Sequence, residues 1–323
     1  MSKINYLALA VVLCLLLSIA QSANIFAQDL TADKVIAEHV KAIGSPELMK
    51  GLKSRAFVGT TSAEFIQGGT GVMAGNGMLV SSGQKLAIVF RFKDTNYPQE
   101  YFAYDGKDVS VSTDFFNPGN KSPLGDFVFR YNSLMKSGFM GGALSPNWPL
   151  LDPTKKADMK LKETTVDGQR LYEIDYQPKP ALRDVKIRLY FDPKTFQHVR
   201  TRYEVRIKEG DQSVRAQTTD STTGGRASDV TVMPSPRGTS TGYQVAAPEA
   251  NADVMQAMPE SIYVLVEKFG DFQDESGLVL PHSYTLEYSV EGQGSSFVAK
   301  WNAKFLQTVF NKPLDDKLFK AQK

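Results

Sequence analysis

The sequence predicts a mainly β protein of the α+β class: one large antiparallel sheet with a few helices available to cover one face. Three observations carry that prediction. Many short runs alternate apolar and polar residues, the mark of strands with one face covered and one wet. Turn pairs such as Asp105-Gly106 and Asp167-Gly168 separate those runs as hairpins. Sustained helical spacing is confined to two places, near 31–43 and 126–137.

The chain has 323 residues. It begins with Lys3 and an apolar run from Tyr6 to Ala20, the length of a signal-peptide core and short for a membrane span. Cleavage fits after Ala20 or after Ala27. Ala27 is preferred because Gln28-Asp29 opens a polar mature chain, which makes 1–27 the signal peptide and 28–323 one domain. The alternative is a retained membrane anchor. Cys14, the only cysteine, follows Leu13 and precedes three leucines, so it does not read as a lipobox cysteine. A mature chain without cysteine has no disulfide, thiol chemistry or cysteine-based metal site. It reads as exported, in the periplasm or beyond. The net charge of +2 gives no bulk electrostatic argument for nucleic acid.

Leu30 to Gly44 reads as a helix capped by Thr31, with Val35, Ile36, His39, Val40 and Ile43 in one stripe. His39 on that stripe reads as a packed core residue. Pro46 starts a second short helix through Lys53. Strands run from Arg55 to about Asp114. Among them Leu86, Ile88, Phe90 and Phe92 share a face opposite Ala87, Val89, Arg91 and Lys93. From Asp126 to Lys136 the spacing turns helical and aligns Phe127, Tyr131, Leu134 and Met135, and Gly138 ends the helix. The apolar, glycine-loosened stretch around it, with Phe139, Met140, Gly141, Gly142 and Trp148, reads either as core or as a lid.

Strands resume after Leu161, at Arg170–Gln177, Val185–Phe191 and His198–Lys208. The last two alternate cleanly. Val185, Ile187, Leu189, Val199, Thr201, Tyr203, Val205 and Ile207 face in, and Lys186, Arg188, Arg200, Arg202, Arg206 and Lys208 face out. The segment 210–260 is rich in Ser, Thr, Gly and Pro and shows no period, so it reads as a disordered insertion. Strand structure returns at Ile262. The closing hairpin then places Leu280, His282, Tyr284, Leu286, Tyr288 and Val290 on one face. It turns at Glu291-Gly292-Gln293-Gly294 and returns through Phe297, Trp301, Phe305 and Val309.

That ending carries a family resemblance. A "Gly-Leu-x-Leu-Pro" strand, a hairpin partner and then Asn311-Lys312-Pro313-Leu314-Asp315-Asp316-Lys317-Leu318-Phe319 resembles the close of LolA-like proteins, the periplasmic lipoprotein carriers and their relatives. Leu189-Tyr190-Phe191-Asp192-Pro193-Lys194-Thr195 resembles the same superfamily's central hairpin with its Asp-Pro turn. The resemblance implies a strongly curved antiparallel sheet, an incomplete β-barrel of about ten strands with helices covering its concave face, which binds acyl chains. The cavity it implies would be lined by Phe90, Phe92, Leu189, Tyr203, Tyr284, Leu286, Trp301 and Phe305, and its lid would carry Phe127, Tyr131, Leu134 and Met135.

Catalytic patterns match by letter and fail by context. Gly69-Thr70-Gly71-Val72-Met73-Ala74 has strand after it where a dinucleotide site needs a helix. Gly238-Thr239-Ser240-Thr241-Gly242 lies in the insertion, and Ser133-Leu134-Met135-Lys136 lacks its companion motifs. His39, His198 and His282 have no metal-ligand spacing. No enzyme, cofactor or metal is expected. The function classes are a carrier of lipid or lipoprotein acyl chains, a non-enzymatic sensor or interaction module with a filled core, and an uncharacterised hydrolase. One surface feature is added. The register that pairs Arg188 with Arg200 and Lys186 with Arg202 makes a basic stripe, which reads as a solvated face or as a landing surface for an envelope protein or anionic membrane.

Overall fold

The computed structural model describes residues 30–68, 71–112, 121–182, 184–208, 260–292 and 295–321. The expected signal peptide and residues 210–259 of the expected 210–260 insertion lie outside the described residues, while Glu260 opens a strand. Two helices lead the chain: α1 (Ala32–Ile43), capped by Thr31, and α2 (Pro46–Gly51), capped by Ser45. Five strands follow: β1 (Ser54–Gln67), β2 (Gly71–Ser82), β3 (Lys85–Phe92), β4 (Gln99–Tyr104) and β5 (Val109–Val111). Then come α3 (Pro123–Arg130) and α4 (Ser133–Lys136), with short 3-10 turns at Gly142–Leu144 and Pro149–Leu151. Seven more strands are β6 (Ala157–Val166), β7 (Gln169–Pro178), β8 (Lys186–Phe191), β9 (His198–Lys208), β10 (Glu260–Asp274), β11 (Val279–Gly292) and β12 (Ser295–Phe310). A 3-10 turn at Asp316–Phe319 ends the series.

The twelve strands form one antiparallel sheet in the order β5-β4-β3-β2-β1-β12-β11-β10-β9-β8-β7-β6. It is not closed, since β5 and β6 are its two edges. The closing hairpin β11–β12 is its keystone, because β12 pairs with β1 and joins the two halves.

The sheet is strongly curved. Six strand spacings separate β3 from β9 in that order, about 29 Å if the sheet lay flat. Yet the adjacent residues Gly141 and Gly142 touch both strands. A Cβ on Gly141 would lie 3.8 Å from Leu86 of β3, and one on Gly142 would lie 3.3 Å from His198 of β9. Every strand but the edge strand β6 contributes buried residues to a single apolar cluster with α1, α3, α4 and the segment 138–150, and β6 packs Met159 and Leu161 against it.

Four expectations need correction. The sheet has twelve strands among the described residues, where about ten were expected. The helix expected at 126–137 starts earlier, at Pro123, and breaks at Tyr131–Asn132 into α3 and α4, so it is two short pieces with glycines beyond. Ala87 and Val89 do lie opposite Phe90, but they are buried on the outer face, where Phe319 covers them and Tyr101 Oη donates to Leu318 O at 2.7 Å. The β8–β9 register also differs. Arg188 faces Arg202, Tyr190 faces Arg200, and Lys186 faces Glu204. The observed ladder from Lys186 to Tyr190 is offset by two residues from the expected one, and a bulge between Tyr190 and Phe191 skips Val199. A shift of two keeps Thr201, Tyr203, Val205 and Ile207 on their expected face, but at the bulge His198 is buried in place of the expected Val199.

Candidate functional site

All eight residues expected to line the interior are buried and belong to the one concave cluster. Leu286 and Trp301 are cross-strand partners on β11 and β12. Trp301 packs edge-on against Phe65, Phe92 stacks on Tyr97, and Phe305 packs on Phe57. Of the four lid residues, Phe127, Leu134 and Met135 are buried in that cluster, and Tyr131 is half-buried against Phe127 at 4.9 Å between rings. Segment 122–152 continues with Phe139, Met140, Leu144 and Trp148, all buried, and so plugs the concave face.

Three charged residues that the sequence reading passed over hold this plug. Each sits on the apolar phase of its strand: Arg55 with Phe57 on β1, Glu100 with Phe102 on β4, Glu267 with Leu265 and Phe269 on β10. A charge in phase with buried apolar residues was the available signal. Arg55 Nη1 donates to Ala143 O at 2.5 Å, and burial lowers its pKa to about 10. Glu100 accepts from Tyr97 Oη and from the hydroxyl of Ser122, the residue that caps α3. Tyr97 Oη in turn accepts from Trp301 Nε1 at 2.9 Å, which ties the expected ligand-contacting tryptophan into the same chain of bonds. Burial pushes the Glu100 carboxyl up to about 7 against those bonds.

Glu267 is the most enclosed of the three. Gly141 N at 2.8 Å and Tyr284 Oη at 2.5 Å donate to its Oε1. Tyr203 Oη lies 2.6 Å from Oε2 and 3.0 Å from Phe139 O. The single Tyr203 proton cannot serve both acceptors well. All four contacts are satisfied when Oε2 carries a proton, donates it to Tyr203 and leaves Tyr203 to donate to Phe139 O. Burial raises the pKa of Glu267, in the direction this proton count requires.

A second feature lies beside the plug. His39 of α1 and His198 of β9 are buried with ring centroids 6.1 Å apart, and Trp148 sits 4.8 Å from His198. His39 Nδ1 lies 2.8 Å from Phe196 O, so Nδ1 carries the proton and Nε2 is a buried lone pair with no partner among the described residues. Burial lowers the pKa of His39 to about 4, which keeps the ring neutral. Both rings line a depression with Ile43, Phe269, Phe272 and Pro281 that has room for about one water. Among the described residues no group of three His, Cys, Asp or Glu side chains is placed to hold a metal ion.

The basic residues are largely matched by acids. Glu204, 6 % exposed, binds Arg188, Arg202 and Arg206, while Arg200 pairs with Asp167 at 2.9 Å and Arg188 also approaches Glu173. Burial pushes the Glu204 carboxyl up, but bonds from Arg206 and Arg202 and the charges of Arg202 and Arg188 outweigh it and hold it at about 2. An open electropositive stripe is therefore replaced by an ion-pair network. The cause is the shifted register, which brings Glu204 opposite Lys186 and beside Arg188.

No protein-family model and no curated protein matches the chain. Three solved structures are similar to it over most of its length. A DUF1329 family protein from Desulfovibrio piger covers 88% of this chain and 95% of its own, with 11% identity and a TM-score of 0.40. A putative outer membrane lipoprotein-sorting protein domain from Vibrio parahaemolyticus covers 88% and 97%, with 9% identity and a TM-score of 0.37. A LolA superfamily protein from Nitrosomonas europaea covers 90% and 98%, with 11% identity and a TM-score of 0.38.

Proposed function

We propose that this chain is a non-enzymatic carrier-type protein of the cell envelope, which holds acyl chains of a lipid or lipoprotein on its concave face once the plug has withdrawn. The observation behind this is how the face is covered. Its roof is a segment of short helices and 3-10 turns, and it supplies Phe139, Met140 and Trp148 to an interior that the continuous sheet already shapes. Withdrawing that segment vacates an apolar trough without breaking a strand ladder. Each methylene a ligand buries there contributes roughly 0.8 kcal/mol. Mass spectrometry of lipid co-purifying with the protein tests the reading. Trp301→Glu, which places a charge in the trough, should abolish that lipid; a lipid-free wild type, or a variant that keeps its lipid, speaks against it.

A second reading has its own observation. The residues expected to line the interior are buried, and the depression beside His39 takes only about one water. On this reading the fold is a sensor or interaction module and segment 122–152 is permanent core. Hydrogen exchange separates the two. Amides of 139–144 that open only with global unfolding favour the filled module, and amides that open well below it favour the carrier.

A further inference from the structure

The hydrogen bonds that fasten residues 139–144 have a common property: four side chains from four strands all bind the main chain of that one run. Tyr203 of β9 reaches Phe139 O at 3.0 Å, and Glu267 of β10 accepts from Gly141 N at 2.8 Å. Arg55 of β1 donates to Ala143 O at 2.5 Å, and Ser81 of β2 donates to Leu144 O at 3.3 Å. None of these bonds reads a side chain of the plug. All four sheet residues are buried.

We propose that the concave face is a main-chain-reading site for an apolar peptide, occupied in cis by residues 139–144 and open to an external peptide of the same character. The proposal rests on the reading that the plug withdraws, and it narrows the ligand. A bare acyl chain fills the trough but offers Arg55 no acceptor and Glu267 no donor. Arg55 would then be buried without a partner, which is the costly way to lose a hydrogen bond, and Glu267 would keep only Tyr203 and Tyr284. An apolar peptide supplies an N–H and carbonyls at the spacing that the plug now shows. A glycine turn belongs to the pattern. Gly141 and Gly142 have φ of 85° and 50°, and a Cβ on Gly142 would lie 2.8 Å from the Phe269 ring.

The test uses the whole exported chain and two probes: a fluorescein-labelled peptide with the sequence of residues 138–145 (GFMGGALS), and cis-parinaric acid as the bare acyl chain. Gly142→Val should force the plug off Phe269 and tighten peptide binding at least tenfold over wild type. Adding Arg55→Met should weaken the peptide about tenfold and leave the fatty acid unaffected. Binding of parinaric acid alone overturns the peptide proposal while leaving the carrier reading intact. Binding of neither probe, with residues 139–144 exposed to hydrogen exchange, overturns both. Should Gly142→Val not fold, the wild type decides: excess peptide must accelerate exchange in residues 139–144, and unchanged exchange refutes the proposal.

Discussion

Glu100→Gln gives the sharpest test of the buried charges that hold the plug. Glu100 is 1 % exposed, and its pKa rises from 4.5 to about 7 because burial penalises the carboxylate more than the bonds from Ser122 and Tyr97 favour it. Between those two values the folded state binds a proton that the unfolded state does not. Stability from this group is therefore complete below pH 4.5 and is lost as pH rises through 7. A displacement of that size corresponds to about 3 kcal/mol. Glutamine keeps a neutral acceptor for Tyr97 and removes the titration, at the cost of a charge-assisted bond worth about 1.5–3 kcal/mol. The variant's stability minus that of wild type isolates Glu100 from every other titrating group. Urea unfolding at pH 4.5, 6, 7 and 8 should show that difference climbing by about 3 kcal/mol towards the variant. Because Ser122 caps α3, hydrogen exchange at 123–126 in the wild type should quicken over the same range. A difference curve flat across these pH values would refute the reasoning.

Two further outcomes follow from geometry elsewhere in the sheet. Glu204→Gln removes the shared partner of Arg188, Arg202 and Arg206. It should lower stability at neutral pH by roughly 1–2 kcal/mol, since these arginines are partly solvated. Glu204 ionises at about 2 in the folded state, so its contribution is present above about 4.5 and fades as pH falls towards 2; the loss should vanish near pH 2, and a loss independent of pH would count against the network. Gly75→Ala should destabilise by more than about 1 kcal/mol, because a Cβ on Gly75 would lie 1.7 Å from Arg91 O, a backbone atom of the paired strand. An unchanged urea midpoint for this variant would show that the β2–β3 ladder can yield there.

Much of this molecule was legible because a strand repeats every two residues. Leu280, Tyr284, Leu286 and Tyr288 fall on the covered face as their alternation requires, and so do Phe90, Leu189 and Tyr203. Register was less legible, since the Asp192–Gln197 turn and the bulge beside Phe191 are set by backbone geometry, which side-chain alternation does not record. Residues 138–152 have no period, so nothing local fixed them as the plug. Their place comes from side chains far away in the chain. Tyr263, Leu265, Glu267 and Phe269 lie in one phase, as do Arg55 with Phe57 and Glu100 with Phe102. A charge in such a phase points into the core, where its own strand's backbone groups are already engaged in the ladder. It must find a partner from another element. The sequence thus announces that something polar faces Arg55, Glu100 and Glu267, and the curvature of the sheet decides what. Ala143 answers Arg55, Ser122 answers Glu100 and Gly141 answers Glu267, all from one segment between β5 and β6. That convergence is what makes 122–152 a single latched unit rather than three unrelated loops.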